Sequence, residues 1–125
     1  MMDRIIPPAV MAEYRQGARL REEQRKADSR KRRDRAWSVA RDAAGLLKRQ
    51  FGASRVILYG SVVHGYWFGL HSDIDLAAEG IRPGDFWRAW CALDQIAADF
   101  EVNLIVVESA TESLRQVIEQ EGVTL

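Results

Sequence analysis

Two carboxylates one residue apart, Asp73 and Asp75, constrain what this chain can fold into more than any other feature. They lie in an apolar segment of strand type, Asp73-Ile-Asp-Leu-Ala-Ala78. Successive side chains of a strand point to opposite faces, so Asp73 and Asp75 share one face while Ile74 and Leu76 share the other. Their Cα atoms then stand about 7 Å apart. Asp is disfavoured in strands, and two on one face repel each other unless a cation or cationic partner lies between them. This is the physics of a divalent-metal site. The stretch from Leu58 to Leu76 leads into it through a Gly60-Ser61 turn and a loop with three aromatic residues in a row, Tyr66, Trp67 and Phe68.

The rest of the composition narrows the setting. A chain of 125 residues is one domain's worth, and 47% hydrophobic with 29% charged residues is the balance of a globular protein. No apolar run approaches the roughly 20 residues that span a bilayer, and the N-terminus lacks the apolar core of a secretory signal, so the expected setting is cytoplasmic, away from membranes. The single cysteine, Cys91, excludes an intrachain disulfide and falls in an apolar helical pattern, where it is expected to be a small core residue. The net charge of zero hides an asymmetry. Residues 1–50 carry 14 basic and 7 acidic side chains, a balance of +7, and residues 51–125 a balance of −7. A basic arm on an acidic body suits nucleic-acid contact, docking on an acidic protein surface, or a solvated helix of mixed charge.

In chain order, residues 8–51 lack strong helix breakers apart from Gly17 and Gly45. Trp37, Ala40, Ala44, Leu47 and Phe51 recur at helical spacing, whereas residues 19–35 have almost nothing apolar to bury. Residues 1–51 are therefore expected to form a basic helical arm and residues 52–125 the functional domain. Arg55-Val-Ile-Leu-Tyr59 reads as a strand covered on both faces. A short helical turn is expected over 61–64, and a second strand over 73–78. A helix follows from Pro83, with Phe86, Trp90, Leu93, Ala97 and Phe100 as a core stripe and Trp87 and Ile96 beside it. Glu101 to Val107 alternates as a third strand. Ser109 with Glu112 suggests a capping box for a last helix ended by Gly122. The order helix, strand, strand, helix, strand, helix predicts the α/β (α+β) class: a small mixed β-sheet flanked by helices, with an N-terminal helical arm.

A Gly-Ser turn after a buried strand lets backbone N–H groups and a hydroxyl approach a ligand closely. The acidic pair downstream suits Mg²⁺, which binds through one or two carboxylates plus the phosphates of its substrate. Together they suit a nucleoside triphosphate held by its phosphates and metal. Gly60-Ser61, eleven residues, then Asp73-Ile-Asp75-Leu76 resembles the signature of the polymerase-β-like nucleotidyltransferase superfamily, and within it the minimal nucleotidyltransferases, or MNT proteins. Leu104-Ile-Val-Val-Glu-Ser-Ala110 and Leu114 to Gly122 are similar to the ending common in that group. The resemblance covers residues 52–125. It implies a polymerase-β-like fold, ATP bound through Gly60, Ser61 and Ser72, and Mg²⁺ held by Asp73 and Asp75. It also implies an antitoxin whose partner is a HEPN-domain toxin, neutralised by transfer of AMP from ATP to a toxin tyrosine.

One position departs from that pattern. The superfamily usually supplies a third carboxylate from the next strand, where this chain has Val102-Asn103-Leu104-Ile105. An amide oxygen can coordinate a metal, but it adds no negative charge and cannot act as general base. Glu101, two residues earlier on the same face, is the expected partial substitute. Catalysis is thus assigned to Asp73, Asp75, Asn103 and Glu101, and the alternative is a weakened MNT module that inhibits its toxin by binding it. A third reading is a nucleic-acid-binding regulator acting through residues 19–35, although no aromatics interleave with the basic residues there. His64 and His71 suit a nucleotide contact or a solvent-facing loop. Tyr66, Trp67 and Phe68 suit base stacking or a cover over a sheet edge.

Overall fold

The computed structural model describes residues 6–65 and 72–125. Its elements run α1 (Pro8–Phe51), β1 (Arg55–Tyr59), α2 (Ser61–His64), β2 (Ile74–Glu79), α3 (Phe86–Asp94), β3 (Val102–Val106), α4 (Glu112–Glu121) and β4 (Val123–Thr124). The chain divides into two compact units, Met1–Lys31 and Arg32–Leu125, and α1 runs through both. Among the described residues of the first unit none is buried, and Ile6, Val10, Tyr14 and Leu20 are exposed. Its helix carries local pairs one turn apart, Gln24 with Asp28 and Arg25 with Glu22, as expected of a solvated face. Among the described residues, no helix is long and apolar enough to cross a membrane.

The second unit is built on a four-stranded mixed sheet in the order β3-β2-β1-β4. β1 pairs antiparallel with β2 and β4, and β2 pairs parallel with β3. On one face Val56, Leu58, Ile74, Leu76 and Leu104 meet Ala36, Val39, Ala40, Ala43, Ala44 and Leu47 of α1 and Ala89 and Leu93 of α3. Four alanines on the buried stripe of α1 let that helix lie close to the sheet. On the other face Ile57, Ala77 and Val107 pack with Ile118 of α4. β1 is therefore covered on both sides, as its unbroken apolarity predicts.

Several expectations change. Cys91 is exposed, because the buried residues of α3, Ala89 and Leu93, set the face turned to the sheet and Cys91 lies between them on the other side. Trp87 is 71% exposed, and so is not core, while Phe86 and Trp90 pack only partly against it. α3 is also shorter than its pattern suggests, ending at Asp94, with Ala97 and Phe100 buried from the connection that follows. Thr111, not Ser109, caps α4, its side chain accepting from the Leu114 N–H; Ser109 ends a 3-10 turn over Val107–Ser109. β4 is an addition, two residues long and too short for any period to show in the sequence.

Candidate functional site

The site forms where the end of β1, the start of β2 and the start of β3 come level. Tyr59 pairs with Asp75 across the antiparallel ladder, and Asp75 pairs with Asn103 across the parallel one. Directly paired residues point to the same face, so the register lays Tyr59, Asp75 and Asn103 in one row. Asp73 stands one residue before β2, at the point where the Ile74 N–H donates to the Glu101 carbonyl at 2.9 Å.

Asn103 joins the two carboxylates. Its Nδ2 donates to Asp73 Oδ2 and to Asp75 Oδ1, both at 3.3 Å. A donor group thus occupies the place between two anions where a cation fits, which is the arrangement the one-face spacing demands. Burial pushes the Asp75 carboxyl above its ordinary range; the Asn103 hydrogen bond opposes this and the Asp73 charge adds to it. The same neighbourhood raises the Tyr59 hydroxyl, first by burial and then by the Asp75 charge.

The Gly-Ser turn closes against the same carboxylate. Gly60 has φ +81°, and a Cβ there would lie 2.7 Å from Asp75 Oδ2, so only glycine lets the backbone pass. Ser61 begins α2, whose N–H groups at Val63 and His64 bond back to the Gly60 carbonyl. The far end of α2 is capped by Gly65 in the left-handed region, its N–H donating to the Ser61 carbonyl at 2.8 Å. Gly60, Ser61, Asp73, Asp75 and Asn103 are thereby brought to one end of the sheet, with Ser72 leading into Asp73. Glu101 is exposed, and among the described residues no group of three or more His, Cys, Asp or Glu side chains is assembled to hold a metal. The donor set that fits Mg²⁺ here is two carboxylates, with the Asn103 amide able to turn its oxygen toward a cation held between them.

Other candidates have local explanations. His64 lies on the exposed end of α2 with its Nε2 3.3 Å from Glu121. His71, Tyr66, Trp67 and Phe68 lie outside the described residues. Three of the basic residues considered for nucleic acid are engaged within their own unit. Arg32 donates to the Asp99 carbonyl and stacks over Phe100, Arg35 pairs with Asp99, and Arg33 bonds the backbone of α2. Sequence reasoning considered Arg33 only as part of the basic arm and gave Tyr59 no role at the site. Only the pairing of distant segments puts them at the site. An apolar groove of about 730 Å³ beside β3, lined in part by Phe86, Trp87, Ile105 and Leu114, includes none of the site residues.

No protein-family model matches the chain, and no curated protein matches it. Solved structures do. A toxin-antitoxin structure with AMP-PNP is 26% identical at a TM-score of 0.55, the match covering 64% of this chain and 66% of that one. A mutant of the toxin-antitoxin MntA-HpeT is 28% identical at a TM-score of 0.51, covering 64% of each chain. This chain therefore spans just under two thirds of the length of these two structures.

Proposed function

We propose that this chain, a minimal nucleotidyltransferase by its fold and by its Gly-Ser and Asp-x-Asp site, is an antitoxin that binds ATP with Mg²⁺ and transfers AMP to a hydroxyl of a HEPN-type toxin. The observation that carries the reading is the convergence of Gly60 on Asp75 with Asn103 bridging Asp75 and Asp73. The likeness to a toxin-antitoxin structure with AMP-PNP supports both the nucleotide and the role.

In this reading the backbone at Gly60 and the hydroxyl of Ser61 bind the triphosphate, and Asp73 and Asp75 hold the metal. A bound Mg²⁺ supplies charge neutralisation on the phosphates, the main demand of phosphoryl transfer. The acceptor oxygen bonds the α-phosphorus and pyrophosphate leaves. The neutral Asn103 amide cannot take the hydroxyl proton, which passes to Glu101 or to solvent.

That last point favours a second reading, in which the chain binds and silences its toxin with little or no transfer. The two separate in one experiment. The chain is incubated with the product of the neighbouring gene, Mg²⁺ and ATP, and the partner is weighed by mass spectrometry. One or more added AMP units, absent with Asp73→Ala/Asp75→Ala, support the enzyme. A tightly bound partner of unchanged mass supports the binding module, and a partner neither bound nor modified overturns both.

A further inference from the structure

Arg33 lies on α1, 27 residues before Gly60 in the sequence, yet its guanidinium reaches the turn that Gly60 begins. Its Nε donates to the Val62 carbonyl at 3.1 Å and its Nη2 to the Val63 carbonyl at 3.4 Å. These carbonyls belong to the last turn of a helix only four residues long, where among the described residues no N–H of the helix bonds them and a cation is favoured. Gly65 makes room for the contact. A Cβ on Gly65 would lie 2.7 Å from Arg33 Cζ and 2.9 Å from Nε, and the residue adopts φ +77°. The segment Gly60–Gly65 is thus bounded at both ends by a glycine pressed against a charged side chain, Asp75 at the first and Arg33 at the second.

We infer that Arg33 is a positioning residue for the nucleotide site, holding the Gly60–Gly65 turn against the Asp73/Asp75 pair from the opposite end. The inference rests on the nucleotide-binding reading above and deepens it. A four-residue helix is too short to hold its own shape, since nucleation costs more than so few bonds return. The fork of an arginine, bonded to two successive carbonyls, holds the turn in one conformation between Gly60 and Gly65. The half of α1 that belongs to the second unit is accordingly part of the site and not an appendage to it.

The test compares Arg33→Ala and Arg33→Lys with Arg35→Ala in the full chain. Arg35 stands two residues on, and its guanidinium pairs with Asp99 in place of the turn. The probes are AMP-PNP with Mg²⁺, followed by calorimetry, and amide hydrogen exchange of the unliganded chain. Arg33→Ala is expected to weaken AMP-PNP binding about tenfold, the scale of a lost charge-assisted hydrogen bond. It should also speed exchange at Val63, His64 and Gly65. Arg33→Lys, which keeps the charge without the fork, should recover part of the loss, and Arg35→Ala should leave both readouts unchanged. Equal losses in Arg35→Ala, or unchanged exchange over 61–65 in Arg33→Ala, overturn the inference. A parent chain that binds no AMP-PNP, with exchange sped only in Arg33→Ala, sinks the nucleotide reading and the inference with it, leaving Arg33 as a support of the turn alone.

Discussion

Asn103 is a neutral amide between two carboxylates, and its charge decides how the site behaves without metal. Its hydrogen bonds to Asp73 and Asp75 ease their repulsion in the absence of a cation. Asn103→Asp puts a third anion in the row, so the metal-free protein is expected to melt at lower temperature and Mg²⁺ to restore it. The same change should raise Mg²⁺ affinity and AMP transfer about tenfold or more, read by thermal shift against Mg²⁺ concentration and by mass spectrometry of the partner. No rise in either would mean that the third position contributes nothing here. Gly60 tests the other side of Asp75. Gly60→Ala forces a Cβ against Asp75 Oδ2 at a positive φ, and is expected to cost about 1–3 kcal/mol in chemical denaturation. It should also abolish AMP-PNP binding, by pushing the carboxylate out of its row.

Among the elements, α1 carries two different jobs along one helix. Its first half shows no buried residue among those described, and its second half contributes Ala36, Val39, Ala40, Ala43, Ala44 and Leu47 to the core. The change in pattern near residue 36 was legible in the sequence, because the apolar residues there return at helical spacing. A fragment of residues 32–125 is expected to unfold cooperatively. A fragment of residues 52–125 is expected to lack a cooperative transition, since burying a Val or Leu is worth about 1.5–3 kcal/mol each and a whole domain only about 5–15. Cooperative melting of the shorter fragment would place the boundary at residue 51. The α3 stripe was less legible. Phe86, Trp87 and Trp90 crowd one stretch, and hydrophobicity alone does not say which of them the sheet covers; Trp87 is left outside while Ala89 and Leu93 take the contact.

Across the whole molecule, exposed ion pairs join segments distant in sequence. Arg35 holds Asp99 below the ordinary carboxylate range, chiefly by its hydrogen bond, and Arg55 does the same to Glu119. A carboxyl with a lowered folded pKa binds its proton less readily folded than unfolded. Its stabilisation is therefore present above the unfolded value and lost as pH falls through the folded one. The melting temperature is expected to drop below about pH 4, and Asp99→Asn/Glu119→Gln should lower stability slightly at neutral pH and flatten that drop. An unchanged acid profile would show that these pairs contribute nothing. Within this frame, the sequence by itself determined the mixed α/β class, the two-sided burial of β1 and the pairing of Asp73 with Asp75 on one face. Period, turn chemistry and charge repulsion act within a few residues, so they can be read without a fold. Only the tertiary structure decided that Asn103 bridges those carboxylates, that Gly60 is pressed on Asp75 and that Arg33 holds the far end of the turn. The first two depend on strand register, and all three on a contact between segments 15 to 30 residues apart; no local pattern encodes which residues the fold will set side by side.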